Sequence, residues 1–179
     1  MKNRFLAVSA IIVAASAILL ASCTTQAPKR ALIPTLSAPE TAMTTMHAAG
    51  PFDVKLSPQV LAVEDKVEGA TLGRMSIDKQ FHGDLEASSK GEMLSAMGGT
   101  PGSAGYVAIE KVSGTLHGRS GSFVLQHNAT MTRGTPALNI IVVPDSGTGE
   151  LAGLSGAMTI IIADGKHSYA FDYTIAPTP

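Results

Sequence analysis

Tyr106-Val107-Ala108-Ile109-Glu110-Lys111-Val112-Ser113-Gly114-Thr115-Leu116-His117, Gly118-Arg119-Ser120-Gly121, and Ser122-Phe123-Val124-Leu125-Gln126-His127-Asn128-Ala129-Thr130-Met131-Thr132-Arg133 decide the fold. Two runs rich in Val, Ile, Phe and Thr flank a glycine-bracketed connection, which is the pattern of a β-hairpin. Apolar side chains recur at every second position, the period of a strand with one face covered.

The same reading extends in both directions. Phe52–Leu56 alternates and opens the domain, Leu72–Phe81 and Gly83–Ala96 form a long pair, and Leu138–Val143, Ala157–Ala163 and Ser168–Ile175 follow. Asp164-Gly165-Lys166-His167 turns the last hairpin, Glu64–Glu68 reads as a polar surface loop, and Gly98–Gly102 as a mobile turn or rim loop. No stretch of helical length spaces its apolar residues at i, i+3, i+4 and i+7. The class is therefore all-β, with about eight antiparallel strands and no helix to cover a face. Closure into a single closed or nearly closed barrel removes the exposed edges most simply.

Residues 46–176 thus form one domain of about 130 residues, enough for a single core. Residues 23–45, with Pro28, Pro34 and Pro39 among many Ala, Ser and Thr, read as a flexible tether. Ahead of them, Lys2 and Arg4 precede the apolar run Phe5–Leu20, which ends in Leu20-Ala21-Ser22-Cys23. Basic, apolar and small-residue regions in that order make 1–22 a secretory signal of the bacterial lipoprotein kind. Cleavage before Cys23, the chain's one cysteine, is expected to leave a thiol for lipid and an amine for acyl chains such as palmitate. Each buried methylene contributes about 0.8 kcal/mol, so several chains anchor the protein durably. The competing reading is an ordinary signal with an incidental cysteine. Lipidation consumes the thiol, so the core must hold without a disulfide. Thr24 stands where Asp would retain a lipoprotein at the inner membrane of a Gram-negative cell. The expected address is the bacterial envelope, on the outer membrane facing the periplasm in such a cell.

Charged residues make up 15% of the chain, the net charge is -1 and Trp is absent, which gives no basic footprint for nucleic acid. Glu110 and His127 each interrupt an apolar row. Glu110 shares its face with Tyr106, Ala108, Val112 and Leu116, and His127 with Phe123, Leu125, Ala129 and Met131. Inside a barrel the two form a candidate proton-transfer pair, with Tyr106 and Phe123 as candidate ligand-binding neighbours. Turned outward, they are ordinary solvated or satisfied residues; parity alone does not choose.

Other groups carry less. His82, Asp84 and Glu86 read as a polar stripe on one strand face, pointing to solvent. His47, His117 and His167 lie near strand ends with no spacing that gathers three metal ligands, so no metal and no cofactor are expected. Asp145-Ser146-Gly147-Thr148-Gly149-Glu150 lacks the carboxylate density of a calcium loop, and its glycines suit turns or bulges. Those glycines open no helix, as a dinucleotide site needs, and Ser155 lacks the strand-to-helix setting of a hydrolase nucleophile.

Leu72–Tyr173 resembles a bacterial family of unknown function, DUF3224. The resemblance is carried by Phe81-His82-Gly83-Asp84-Leu85-Glu86, Gly105-Tyr106-Val107-Ala108-Ile109-Glu110, Gly114–Phe123 and Pro144–Leu151. It implies a fold similar to the allene oxide cyclase barrel, also seen in dirigent proteins, and no established activity. Gly147–Gly156 is similar to the glycine-dotted segment before the last strands of that superfamily, with Leu151 where an aromatic is common. Barrels of this kind often associate, but no patch in the sequence marks an interface.

Three functions follow from these readings. The first is a lipid-anchored barrel that binds a small apolar or amphipathic molecule or a protein partner. The second is a cyclase-like or isomerase-like enzyme using Glu110 and His127 inside the barrel. The third is a structural envelope protein whose barrel is filled by its own side chains, since eight strands leave room for little more.

Overall fold

The computed structural model describes residues 43–177, so the expected signal peptide, Cys23 and almost all of the tether lie outside the described residues. Strands run in the order β1 Met46–Pro58, β2 Lys66–Val67, β3 Ala70–Phe81, β4 Leu85–Gly98, β5 Ala104–Leu116, β6 Arg119–Thr132, β7 Thr135–Val142, β8 Leu154–Ala163 and β9 Lys166–Ile175. Each pairs antiparallel with its neighbour in the sheet, and β1 pairs with both β9 and β3. That double pairing closes eight strands into a barrel, with β2 paired to the start of β3 on the same edge as β1. The only helix among the described residues is a single 3-10 turn, Gly149–Leu151.

The turns are tighter than the sequence suggests. Leu116 pairs directly with Arg119, so the first hairpin turns on His117-Gly118 rather than on Gly118–Gly121. The last turns on Asp164-Gly165, with Lys166 and His167 already in β9. Arg133-Gly134 makes a third turn of this kind, at the start of the break that the sequence leaves between Arg133 and Leu138. In all three both central residues have positive φ, from 47° at His117 to 89° at Gly134, which matches the right-handed twist of the flanking strands. The polar loop expected at Glu64–Glu68 contains β2.

Alternation along the strands sorts the core. Ala48, Phe52, Phe81, Leu85, Val112, Leu116, Phe123, Leu125, Phe171 and Tyr173 all face inward and are buried. Burying an aromatic or branched apolar side chain contributes about 1.5–3 kcal/mol. Phe123 stacks on Phe171 at 5.9 Å between ring centroids, and Phe171 on Tyr173 at 5.2 Å. Buried Leu151, on the 3-10 turn, plugs this end of the barrel. Here β7 stops short, and the segment 143–151 takes its place beside the first half of β6: Val143 N–H donates to Val124 O and Thr148 N–H to Ser122 O, both at 2.8 Å. Gly121 allows that approach, because a Cβ there would collide with Thr148 O and lie 3.1 Å from Leu151 Cβ.

Candidate functional site

Along β3, Ile77-Asp78-Lys79-Gln80-Phe81 places Lys79 in an inward apolar row. On β4 Ser89 occupies the paired position, and on β5 Glu110 sits one inward step away, opposite Gly91. Across β5 and β6, His127 pairs with Ala108 and is the diagonal neighbour of Glu110. Closure therefore gathers four polar side chains from four consecutive strands into the barrel. Glu110 is 0%, His127 3% and Lys79 5% exposed.

Lys79 Nζ donates to Glu110 Oε2 at 2.7 Å, and the Ser89 hydroxyl donates to Glu110 Oε1. His127 Nε2 lies 3.0 Å from Glu110 Oε2 but is not aligned for a hydrogen bond with it, so the contact is electrostatic and the nitrogen remains a buried group without a hydrogen-bond partner. Lys79 Nζ also lies 5.2 Å and 5.5 Å from the ring centroids of Phe52 and Phe81, close enough for cation-π attraction. A side chain at position 91 would place its Cβ 2.8 Å from Glu110 Cα, so the backbone of β4 approaches Glu110 as only glycine allows.

Burial by itself pushes the Glu110 carboxyl up; His127, Lys79 and Ser89 outweigh it and hold it down at about 2. Glu110 is thus ionised at neutral pH and cancels the charge of Lys79. The Tyr106 phenol, half-buried, is pushed up by burial and then by the charge of Glu110, which keeps it protonated.

The structure brings Glu110 and His127 together and separates their expected neighbours. Tyr106 pairs with Ala129 toward the end away from Leu151, whereas Phe123 is packed into the plugged end, six residues further along the row. Lys79, Ser89 and Gly91 were missed by the sequence reading, although Lys79 interrupts its apolar row just as Glu110 does.

The remaining candidates lie elsewhere. His82 and Asp84 are in the turn between β3 and β4, not on a strand face with Glu86; His82 Nδ1 is 3.6 Å from Glu86 Oε2 and its Nε2 3.8 Å from Asp53 Oδ2, at the surface. His117 Nδ1 is 2.7 Å from Tyr173 Oη, and His47 Nδ1 is 2.7 Å from Asp172 Oδ1. His167 packs against Phe52 at 5.3 Å. Glu150 accepts from Ser120 N–H, and Ser155 bonds Thr174, both on the exposed side.

Above the polar cluster the interior rows change character. Leu56, Met131, Leu138 and Ile162 continue the inward positions of β1, β6, β7 and β8, yet they are 42–66% exposed. The turns at 99–103, 133–134 and 164–165 rim this end, and Gly134 N–H donates to Gly102 O between two neighbouring turns at 2.9 Å. The barrel is therefore plugged at one end and apolar and open at the other, with the ionised cluster between.

Fold and cluster define an eight-stranded antiparallel barrel that holds a neutralised carboxylate in its interior. The chain belongs to the family of proteins of unknown function DUF3224, which it matches over residues 48–173. It is similar, at 53% identity and a TM-score of 0.72, to the crystal structure of a DUF3224 protein of unknown function from Shewanella oneidensis MR-1, covering 75% of this chain and 100% of that one. No curated protein matches it. The closed barrel fits the allene oxide cyclase-like architecture that the resemblance implies.

Proposed function

We propose that the protein is a binding module that takes a small amphipathic molecule into the open end of its barrel. The observation that carries this reading is the run of exposed apolar side chains at inward positions, Leu56, Met131, Leu138 and Ile162, above a polar cluster. Such a gradient suits a molecule with one polar and one apolar part. Cys23, lipidated after removal of residues 1–22, holds the module on the envelope membrane where such molecules concentrate.

The enzyme reading is weaker because of Glu110. A general base works best with a pKa near the operating pH, and a carboxyl held at about 2, already accepting from Lys79 and Ser89, has little basicity left. Glu110 serves better as a fixed counter-charge.

Protein purified from its envelope, extracted with organic solvent and analysed by mass spectrometry, is expected to release a small amphiphile chemically unchanged. Release of nothing, together with no uptake of any amphipathic probe, overturns binding in favour of a filled barrel. Conversion of the released compound by fresh protein overturns it in favour of an isomerase.

A further inference from the structure

The barrel wall is not uniformly zipped. Neighbouring barrel strands elsewhere share between seven and thirteen residue pairs, but β7 and β8 share one, Ile141 with Ala157. Continuing that antiparallel register toward the open rim sets Leu138 beside Ile160 and Pro136 beside Ile162. Because Val143 N–H donates to β6, alternation turns the even-numbered backbone nitrogens of β7 toward β8. Pro136 is one of these, so a nitrogen without hydrogen stands where a zipped pair needs a donor. Pro136 thus denies the seam one ladder bond near the rim, while the two strands still run side by side.

Leu138, Ile160 and Ile162 belong to the interior rows, so the lips of the seam are apolar and continuous with the open end. At its foot Ile140 pairs with His127 across β6 and β7. The seam thus runs from the rim to the wall beside a buried imidazole whose Nε2 faces Glu110 Oε2 at 3.0 Å without an aligned hydrogen bond. Lys79 and Glu110 already cancel one another, and a charged group brought beside them loses its water without gaining a counter-ion. A neutral oxygen acceptor, by contrast, satisfies a His127 N–H.

We infer that the β7–β8 seam is the portal and chain cleft for an unbranched, single-chain amphiphile with an uncharged oxygen head group, such as a hydroxyl or ester, which reaches His127. This rests on the binding-module reading and adds the route and the ligand class.

The test uses residues 43–179, a barrel comparable to the solved relative that matches 75% of this chain over the whole of its own length. This segment has no native cysteine, so Leu138→Cys with Ile160→Cys installs a single reversible lock across the seam. The probes are a monoacylglycerol with a fluorescent acyl chain, the free fatty acid of the same chain, and a fluorescent sterol. Wild-type protein is expected to load the monoacylglycerol in preference to the other two. Oxidising the double variant is expected to slow loading at least tenfold, and dithiothreitol to restore it. Equal loading by the oxidised and reduced forms refutes the portal while leaving the binding module standing. Preference for the fatty acid anion or the sterol refutes the ligand class. Failure of wild type to take up any probe removes the binding module itself. If the double variant does not fold, amide exchange on wild type gives the same decision: protection of Leu138 and Ile160 by the monoacylglycerol supports the portal, and unchanged exchange there during saturated binding overturns it.

Discussion

Replacing Lys79 by Met removes the cation from a carboxylate with no exposure to water. In the native barrel Lys79 Nζ is 2.7 Å from Glu110 Oε2, and the pair is cut off from solvent. After Lys79→Met the carboxylate keeps the Ser89 hydroxyl and the misaligned His127, which do not replace a full positive charge. Loss of one partner of a buried pair costs about 3–5 kcal/mol. For a domain of this size that lowers Tm by about 10–20 °C. The pH response changes as well. With Glu110 at about 2 in the folded protein and 4.5 as its ordinary value, the contacts of Glu110 with His127, Lys79 and Ser89 together contribute stability above pH 4.5 that is lost as pH falls toward 2, about 3 kcal/mol in all. Without Lys79 the folded carboxyl titrates higher than in the native protein, so the variant loses less stability than wild type as pH falls through the acid range. Urea unfolding followed by circular dichroism between pH 3 and pH 8 measures both effects. Lys79→Met combined with Glu110→Met leaves no buried charge and is expected to recover most of the loss. A single variant within about 1 kcal/mol of wild type, or a double variant as unstable as the sum of the two singles, refutes the account of the cluster as a buried ion pair.

Gly91→Ala puts a methyl group against Glu110 and is expected to cost about 1–3 kcal/mol by the same unfolding assay, more than Gly118→Ala, where nothing stands within 4 Å and only the positive φ resists. Tyr169→Phe removes the acceptor for Leu85 N–H and the donor to His82 O; chemical denaturation is expected to show a loss of about 1–3 kcal/mol with the fold retained. Cys23→Ala is expected to move the protein from the membrane fraction to the soluble one, read by immunoblot after fractionation, and continued sedimentation with membranes counts against the lipid anchor.

Much of the fold was legible because strands advertise themselves locally. Period-two alternation in Tyr106–His117 and Ser122–Arg133, interrupted near Gly118–Gly121, is a property of neighbouring residues, and so is the break at Asp164–His167, although pairing narrows these turns to His117-Gly118 and Asp164-Gly165. Closure into a barrel was inferred from the absence of a helix to cover a face, and the pairing of β1 with both β3 and β9 realises it. Extra length in β1 and the small strand β2 escaped the reading, because residues such as Pro51 and Lys66 carry no strand signal and are held there by their partners.

The candidate site divides along the same line. Sequence by itself determined that Glu110 and His127 interrupt apolar rows on adjacent strands, since alternation fixes which side chains share a face. Only the tertiary structure decided that this face is the inside, that Lys79, 31 residues from Glu110 along the chain, supplies the counter-charge, and that β7 and β8 barely pair. Alternation is a local rule and leaves inside and outside equivalent. The distinction arises when β1 meets β3 and β9, removing one face from water and forcing every polar group on it to find a partner among strands that the chain alone does not bring together.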